Sequence, residues 1–163
     1  MKETIKAVVN NYGVNEIRYG LIVFGSDSTT RITFNNSYSP DELNGFITNI
    51  PRRGGGPSFA NAFKDAENLF SPNQGSRPDA NKVLVLMTDK KYTDFLEDLT
   101  RGVKTLTMRN IRIIPVGIGN AADRIGLSAV ASESSDVLLI SKEENPKSLA
   151  KKIMEKASSG ELI

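Results

Sequence analysis

Val-Leu-Val-Leu-Met-Thr-Asp-Lys, residues 83–90, is the stretch of the chain from which the fold is predicted. Its first five residues are apolar without alternation, so neither face of the strand they form is expected to meet water. Such a run is typical of a central strand in a parallel sheet that helices cover on both faces. Asp89 stands where this strand ends, and ligands of open α/β sheets bind outside the carboxyl ends of the strands. We therefore expect Asp89 to border any functional site of the protein.

Further strands and helices alternate on both sides of this central strand. Strands are predicted at 17–24, 30–34, 83–88, 111–116 and 137–140, and a turn at 25–28 makes the first two a hairpin. Helices are predicted at 2–12, from Ser39-Pro40 to Ile50, from Ser58 to Phe70, from Tyr92 to Leu106, at 123–131, and from Asn145-Pro146 onward. This order predicts a three-layer, Rossmann-like α/β fold. Its sheet is doubly wound and mostly parallel, with one antiparallel edge strand and helices on both faces.

The composition is that of one ordinary globular domain over residues 1–163. Hydrophobic residues make up 39% and charged residues 25% of the chain, which is typical of globular proteins. The net charge is +2 and no run of Lys or Arg exceeds two residues, so nucleic acid is not expected as a partner. No apolar stretch is long enough to span a membrane, so membrane insertion is not expected either.

The chain contains neither cysteine nor histidine. The absence of cysteine excludes disulfides, thiol catalysis and cysteine-ligated metals. The absence of histidine excludes Ser–His triads, histidine general bases and most zinc sites. Since no nucleophile–base pair and no convincing pair of carboxylates remains, we do not expect an enzyme.

Four segments of the chain, taken together, resemble a known family. They are Arg18–Phe24 before the hairpin, Gly54-Gly55-Gly56 opening a helix with Ala62-Phe63, Val85–Asp89, and Ile111–Gly119. Their order is similar to that of the von Willebrand factor type A domain, and the similarity covers nearly the whole chain. The resemblance implies the same α/β fold and a ligand-binding surface at the carboxyl edge of the sheet.

One element of that family is absent from the sequence. The family's first strand is central in the sheet and ends in Asp-x-Ser-x-Ser, whereas this chain starts inside the helix that should follow that strand. Ser26-Asp27-Ser28 only echoes the motif, and we interpret it as part of the hairpin turn. The domain is therefore expected to be N-terminally incomplete, with the place of the missing strand between strands 17–24 and 83–88.

Three arrangements would resolve this gap. Residues before Met1 would supply the strand, a segment of another chain would insert by strand addition, or the two neighbouring strands would pair directly in an altered sheet. An unpaired backbone donor or acceptor costs about 1–3 kcal/mol when it is buried. The first two arrangements are favoured, because the uniformly apolar run Val83–Met87 is expected to be covered and paired on both sides.

The metal site of the family is degenerate in this chain. Pro57 stands where the family has a threonine ligand, and Lys90 follows Asp89 where the family usually has glycine. The resemblance implies Asp89, and more weakly Ser58, as metal ligands, but only if the first strand is supplied from elsewhere. Since Mg²⁺ prefers an octahedral set of oxygens, no cofactor is expected in this chain alone, and Mg²⁺, Ca²⁺ or Mn²⁺ only in a completed domain. Asp89 would otherwise cap the following helix or pair with Lys90 or Lys91.

By resemblance, the chain is expected to be a non-enzymatic adhesion module that binds a protein. Its ligand-binding edge would contain Gly55, Gly56, Ser58, Asp89, Lys90, Lys91 and Asn120. The implied ligand is a collagen or another matrix protein, which implies an extracellular location. The glycosylation acceptor triplet Asn35-Asn36-Ser37 lies in a predicted loop and mildly favours secretion.

Two alternatives stay open. Gly54–Gly56 precedes a helix, and bare amides at a helix N-terminus attract phosphate, so a Rossmann-like enzyme or nucleotide-binding domain is the second hypothesis. The Walker lysine and the Gly-x-Gly-x-x-Gly pattern are absent, and the glycines more simply let the loop pass close to the sheet. The other alternative is an intracellular scaffold with the same fold.

Overall fold

This computed structural model describes residues 1–159, which contain six α-helices, five β-strands and two short 3-10 helices. The helices are α1 (Lys2–Tyr12), α2 (Pro40–Thr48), α3 (Phe59–Leu69), α4 (Leu96–Met108), α5 (Arg124–Val130) and α6 (Pro146–Ser158). The strands are β1 (Leu21–Phe24), β2 (Ser28–Ile32), β3 (Lys82–Thr88), β4 (Ile111–Ile118) and β5 (Leu138–Ile140). Strands and helices follow one another in the predicted order and form the predicted three-layer α/β fold. No helix among these residues is long and apolar enough to cross a membrane.

The strands form two sheets rather than one. β3, β4 and β5 are parallel and adjacent in that order, with Thr88 of β3 beside Gly117 of β4. β1 and β2 form a separate antiparallel hairpin, in which Phe24 lies opposite Ser28. Within the described residues β1 does not pair with β3, and this is the position at which the missing strand is predicted. The altered sheet, in which these two strands would pair directly, is wrong.

β1 and β3 end on the same side of the molecule, which we call the carboxyl edge; the opposite side is the amino edge. Directly after β1, the carbonyl oxygen of Gly25 accepts a hydrogen bond of 2.7 Å from the amide of Ser58. The neighbouring carbonyl oxygen of Pro57 accepts one of 3.1 Å from the amide of Thr93, which follows β3. The loop before α3 therefore joins the ends of both strands.

Helices cover both faces of the strands. On the first face, α3, α4 and α5 share one core with β1, β3 and β4, and its buried members include Phe59, Phe63, Leu86, Leu99, Ile113 and Leu127. On the second face the core is divided into two clusters. One joins α1, α2 and β2 through Val9, Ile32, Leu43 and Ile47. The other joins α6 and β4 through Val116, Ile118, Leu149 and Ile153.

The apolar residues of β3 are less buried than the sequence predicts. In the run Val83–Met87 only Leu86 is fully buried, and the other four residues are half-buried. The neighbouring strand β4 shows the burial expected of a central strand. It has a partner strand on each edge, and all its residues except Arg112 are buried. The lower burial of β3 has a direct cause, since one edge of β3 has no partner strand within residues 1–159. Cover and pairing of Val83–Met87 on both sides stays a prediction for a completed sheet.

Side-chain caps set the start of four helices. These caps are the Ser39–Glu42 capping box for α2, Ser58 for α3, Asp123 for α5 and Asn145 for α6. α4 has no such cap, and it begins only at Leu96. The predicted helix from Tyr92 starts too early, since Tyr92 and Phe95 share its apolar period but lie in the preceding loop.

Candidate functional site

Three loops at the carboxyl edge contain all the residues that the sequence assigns to a binding surface. They are residues 49–58 before α3, residues 89–95 between β3 and α4, and residues 119–123 between β4 and α5. Each loop follows a strand or contacts the end of one, which is where ligands bind in α/β folds. The contacts between the loops decide which of the predicted residues lie together.

The glycine loop, residues 54–56, passes through a narrow space between the hairpin turn and the loop after β3. A Cβ atom on Gly56 would collide with the side chain of Thr93, and one on Gly55 would lie 3.1 Å from Cβ of Ser26. Gly55 also has a φ of +82°, in the left-handed region that glycine adopts readily. The interpretation that the glycines let the loop pass close to its neighbours is confirmed for Gly55 and Gly56, whereas a Cβ atom on Gly54 would meet nothing within 4 Å.

Arg53 fixes the hairpin turn to this loop. Its Nη1 donates a hydrogen bond of 2.7 Å to Oδ1 of Asp27, and its Nη2 donates one of 2.7 Å to the hydroxyl oxygen of Thr29. Asp27 and the preceding Ser26 lie in the turn itself, directly before β2. The interpretation as hairpin-turn chemistry is therefore confirmed for Ser26 and Asp27, whereas Ser28 is the first residue of β2.

Asp94 joins the start of α3 to the loop after β3. Its Oδ1 accepts a hydrogen bond of 2.5 Å from the hydroxyl of Ser58, and its Oδ2 accepts one of 2.6 Å from the amide of Phe59. The same hydroxyl oxygen accepts a bond of 3.1 Å from the amide of Asn61 and so caps the helix. Ser58 is buried, and the helix dipole favours a carboxylate at this position. The N-terminus of α3 is therefore satisfied by the protein's own groups.

Asp89 lies on the exposed side of the carboxyl edge. Within residues 1–159 its side chain forms no hydrogen bond or ion pair, so it neither caps α4 nor pairs with Lys90 or Lys91. Nζ of Lys91 instead lies 3.9 Å from Oδ2 of Asp123, the residue that caps α5. The carboxylate of Asp89 is free to meet a ligand.

The turn that carries these exposed side chains is braced on both sides. The buried hydroxyl of Thr88 accepts a hydrogen bond of 3.2 Å from the amide of Lys90 and donates one of 3.0 Å to its carbonyl oxygen. The ring of Tyr92 packs against the ring of Phe59, with centroids 5.4 Å apart. It also packs against Gly126, where a Cβ atom would lie 2.6 Å from Cε1 of Tyr92. These contacts fix the turn to α3 and α5.

Asn120 is exposed in the third loop. The preceding Gly119 has a φ of +78°, packs against Lys142, and donates a hydrogen bond of 2.8 Å from its amide to the carbonyl oxygen of Ile140. This loop is therefore held by the end of β5.

The structure places Gly55, Gly56 and Ser58 beside residues 93–94. It leaves Asp89, Lys90 and Asn120 exposed on neighbouring loops without a bond between their side chains.

Three large apolar side chains at this edge are exposed, although their apolar character alone does not distinguish them from core residues in the sequence. Phe95 is 82% exposed, Leu96 is 64% exposed and Ile125 is 81% exposed. They lie at the starts of α4 and α5, two helices that contact each other, and we call them the apolar rim. One sequence signal could have located them. Acidic residues are favoured in the first turn of a helix, so the pair Glu97-Asp98 indicates that α4 starts near Leu96 and that Phe95 precedes it.

The carboxyl edge does not fit a cation that requires an octahedral set of oxygens. The hydroxyl of Ser58 is bonded to Asp94 rather than turned towards Asp89, and both oxygens of Asp94 already accept hydrogen bonds from the protein. Among the residues that the structure describes, no three acidic, histidine or cysteine side chains form a group that could hold a metal. A cation would have to compete with the bond between Ser58 and Asp94, so weak metal binding stays the prediction for this chain.

Comparisons with known proteins agree with this architecture. A family model described as the von Willebrand factor type A domain matches residues 1–156. The collagen alpha-4(VI) chain of Mus musculus is 26% identical over 163 residues, which cover 99% of this chain and 7% of that protein. Matrilin-1 of Mus musculus is 26% identical over 136 residues, which cover 82% of this chain and 26% of that protein.

A solved structure has the same fold over almost the whole chain. Proximal thread matrix protein 1 from the mussel byssus superimposes with a TM-score of 0.86 at 25% identity. The superposition covers 96% of this chain and 42% of that protein chain. The present chain thus spans less than half the length of each of these three proteins.

Proposed function

The chain belongs to the von Willebrand factor type A domain family, and on this basis we propose that it is a non-enzymatic module that binds a protein ligand at its carboxyl edge. The proposed ligand is a collagen or another protein of the extracellular matrix. The proposed binding surface consists of the turn 89–91, Asn120 and the apolar rim. Gly55, Gly56 and Ser58 contribute by holding the adjoining loops in place.

The observation that carries this proposal is the exposure of the apolar rim. Phe95 and Ile125 are each more than four-fifths exposed and stand at the starts of two helices that contact each other. Large exposed apolar patches commonly mark interaction sites. Aromatic side chains are enriched among the residues that dominate binding energy in protein interfaces. Lys90 and Lys91 are exposed in the turn after β3, and Arg124 is exposed at the start of α5. A protein ligand with apolar side chains and acidic groups fits this surface.

The bracing of the loops supports the same function. A binding surface whose loops are already ordered loses less conformational entropy when a ligand binds. The bonds from Ser58 and Phe59 to Asp94 hold one side of the turn, and the packing of Tyr92 on Gly126 holds the other. The exposed side chains are therefore presented on a fixed backbone, as a recognition module requires.

The extracellular location is supported by the relatives and by Asn35. Collagen and matrilin chains are among the relatives, and these names describe matrix proteins. The side chain of Asn35 is exposed, and its Nδ2 donates a hydrogen bond of 2.9 Å to the carbonyl oxygen of Asn73. Asn35 follows β2 and lies at the amino edge, so a glycan there would leave the proposed binding surface uncovered.

The phosphate-site hypothesis for Gly54–Gly56 is opposed by Asp94. The amide of Phe59 at the start of α3 already donates to this carboxylate, and a fixed negative charge there would repel phosphate. A thermal-shift screen with ATP, NAD and inorganic phosphate should therefore leave the melting temperature unchanged. Saturable stabilisation by any of the three would favour the enzyme hypothesis instead.

Binding to immobilised triple-helical collagen, measured by surface plasmon resonance, tests the proposal. We expect saturable binding that Phe95→Ser and Ile125→Ser each weaken by ~10-fold or more, as for residues at the centre of an interface. Met108→Ser is the matched control, because Met108 is also 75% exposed but lies at the far end of α4. This control should bind like the native chain.

Two results would contradict the proposal. Equal loss of affinity in Met108→Ser and Phe95→Ser would remove the carboxyl edge from the binding surface. Absence of saturable binding to collagen and to a panel of purified matrix glycoproteins would remove the matrix ligand. Melting temperatures within a few degrees of the native value show that the variants are folded.

A further inference from the structure

A cavity opens at the amino edge, on the side of the molecule opposite to the proposed binding surface. Its volume is about 240 Å³, and it lies where the loop between α3 and β3 meets the end of α4. It is lined by Phe70, Pro72, Ser76, Pro78, Lys82 and Arg109. Three of these side chains are apolar, two are cations and one is a hydroxyl, and none is acidic. We call this space the amino-edge cavity.

The two cations of the cavity are held by backbone carbonyl oxygens and not by acids. Nη1 of Arg109 donates a hydrogen bond of 2.6 Å to the carbonyl oxygen of Glu67, and its Nη2 donates one of 3.0 Å to that of Phe70. Nζ of Lys82 donates one of 3.3 Å to the carbonyl oxygen of Pro78. Among residues 1–159 neither cation forms an ion pair. Since a guanidinium has five N–H donors and an ammonium has three, both cations keep donors for a ligand.

The hydroxyl of Ser76 adds a third polar group to the cavity. It forms no hydrogen bond with another group of the described chain. The residues on either side of it are bonded to the segment that leads into β1. Nη1 of Arg18 donates a hydrogen bond of 2.8 Å to the carbonyl oxygen of Gly75, and Nη2 of Arg77 donates one of 2.8 Å to that of Glu16. Because this loop is already held in place, a ligand has less conformational entropy to remove when it binds.

The apolar wall of the cavity is held by the core. The ring of Phe70 is buried and packs against the ring of Phe34, with centroids 5.4 Å apart. Pro72 and Pro78 complete the wall and are exposed. Proline side chains have no rotamer freedom to lose when another group covers them. An apolar group of a ligand can therefore cover this wall at little entropic cost.

Acidic side chains flank the cavity without pairing with its cations. Glu67 lies in the last turn of α3 and Asp79 directly follows Pro78, and both acids are exposed. Neither forms an ion pair within the part of the chain that the structure describes. A ligand with a row of negative charges would be repelled by these two carboxylates. One isolated anionic group, in contrast, can bond to Lys82 and Arg109 inside the cavity.

We propose that the amino-edge cavity binds one isolated acidic side chain of a protein partner, together with an apolar side chain two positions away in the partner's sequence. Side chains two positions apart lie on the same face of an extended segment. The carboxylate would accept hydrogen bonds from Nζ of Lys82, the guanidinium of Arg109 and the hydroxyl of Ser76. Bonds of this kind, in which one partner is charged, are roughly twice as strong as neutral ones.

The apolar side chain of the partner would cover the wall formed by Phe70, Pro72 and Pro78. An anion without such a group, inorganic phosphate included, lacks this contact and is not expected to saturate the cavity. Nucleotides carry several charges in a row and meet the repulsion of Glu67 and Asp79. The ligand class is therefore an acidic and apolar peptide segment, bound at the edge opposite to the surface proposed for collagen.

Titration of the ¹⁵N-labelled chain with short peptides, followed by NMR, tests the proposal. The four peptides are acetyl-Ser-Gly-Glu-Ser-X-Gly-Ser-amide, with leucine, phenylalanine, valine or proline at X. We expect saturable shifts of the backbone amides in residues 70–82 and 109–110, which surround the cavity, with at least one peptide. The control peptide has glutamine in place of glutamate, which keeps the shape and removes the charge. It should bind ~10-fold more weakly, as expected for the loss of a hydrogen bond to a charged group.

Two lysine variants separate the cavity from the overall charge of the chain. Lys82→Gln removes a cation of the cavity and should weaken peptide binding by ~5-fold or more. Lys147→Gln is the matched control, because Lys147 is exposed at the start of α6 and its loss changes the net charge equally. This control should bind the peptide like the native chain. Ser76→Ala removes a donor without changing the charge and should also weaken binding. All three variants should bind collagen like the native chain.

Three results would overturn the proposal. Absence of saturable shifts with all four peptides would show that the cavity does not take such a segment. Equal binding of the glutamate and glutamine peptides would show that Lys82 and Arg109 do not recognise an anion. Equal weakening in Lys82→Gln and Lys147→Gln would show that the peptide is attracted by net charge and not by the cavity.

Discussion

The hydroxyl of Ser58 donates a hydrogen bond of 2.5 Å to Oδ1 of Asp94, a residue 36 positions away that belongs to a different loop. The resemblance to the family implies that Ser58 is a weak metal ligand, but the structure uses its hydroxyl to join two loops. Oδ2 of Asp94 accepts the amide of Phe59, so one carboxylate satisfies two donors at the start of α3. This arrangement joins the two loops through the protein's own groups, and it leads to the first two predictions.

Removal of the Asp94 carboxylate should destabilise the domain. In Asp94→Ala the hydroxyl of Ser58 and the amide of Phe59 lose their acceptor near the core, which costs about 1–3 kcal/mol. The free energy of unfolding in urea measures this loss. Asp98→Ala is the control, because Asp98 is an exposed acid in the same region and pairs only with the exposed Arg101. The control should change the free energy of unfolding by less than about 1 kcal/mol.

A double-mutant cycle separates the bond from the rest of the helix cap. Ser58→Ala alone should cost ~1 kcal/mol as a lost N-cap, plus the loss of its bond to Asp94. The double variant combines Ser58→Ala with Asp94→Ala. Its loss of unfolding free energy should be smaller than the sum of the two single losses by about 0.5–3 kcal/mol. Strictly additive losses would show that the two side chains do not stabilise each other.

Divalent cations should bind this chain weakly. Calorimetric titration with Mn²⁺ is expected to give a Kd no tighter than about 1 mM, because a cation at this edge finds few oxygens that are not already bonded. Added EDTA should leave the melting temperature of the purified chain unchanged for the same reason. A micromolar Kd for Mn²⁺ would contradict this prediction and would make Asp94→Ala and Asp89→Ala the next variants to titrate.

The ion pair of Arg112 and Asp136 should be a major determinant of stability. Asp136 is completely buried, and its oxygens accept hydrogen bonds of 3.0 and 2.6 Å from Nε and Nη2 of Arg112. These bonds raise the pKa of the Arg112 guanidinium. Arg112→Ala leaves a buried carboxylate without its partner, so unfolding experiments should show a loss of about 3–5 kcal/mol.

An exposed arginine provides the comparison for that variant. Arg101 lies 3.6 Å from Glu97 and 3.5 Å from Asp98 on the surface of α4. Arg101→Ala should cost less than about 1 kcal/mol, because exposed ion pairs are solvated and screened. Similar losses for the two arginine variants would mean that burial of Asp136 does not determine the stability of its pair.

Acid should remove the stabilising effect of the Ser39–Glu42 capping box. Hydrogen bonds from the backbone amide and the hydroxyl of Ser39 lower the pKa of Glu42 below its usual 4.5. Since the folded-state pKa is the lower one, the stabilisation is complete above pH 4.5 and is lost as the pH falls through the lowered pKa. The native chain should therefore exceed Glu42→Ala in unfolding free energy at pH 7, and the difference should shrink in acid. A difference that is constant with pH would contradict the role of the charge.

The order of the elements and the position of the carboxyl edge follow from local sequence patterns. The run 83–87, the caps at Ser39 and Asn145 and the glycines before α3 each involve neighbours in sequence, so their physical meaning can be derived from the sequence alone. Because these patterns are local, the sequence also predicts that the turn after β3 and the loop with Asn120 lie at the same edge of the sheet.

The contacts that hold the edge together could not be derived in this way. Asp94 acts on Ser58 across 36 positions, and Asp136 acts on Arg112 across 24 positions. Nothing in the sequence distinguishes these carboxylates from exposed ones. The position of Phe95 is predicted wrongly for a different reason. Its spacing continues the apolar period of α4, but the chain at Phe95 is not yet helical. The spacing of apolar residues alone does not locate the start of a helix that has no side-chain cap.

The packing of α1 against α6 has a mechanical consequence. Met1 lies at the carboxyl edge, because Nζ of Lys2 donates a hydrogen bond of 2.7 Å to the carbonyl oxygen of Ile50 in the loop before α3. The hydroxyl of Ser159 accepts a hydrogen bond of 3.4 Å from Arg112 near the start of β4, at the amino edge. The two helices therefore run in the same direction, and a force that pulls Met1 and Ser159 apart slides one along the other. In such shear the contacts along both helices resist together, rather than opening one after another. Since forced unfolding is governed by the unfolding rate, this geometry suits a domain that is held under tension.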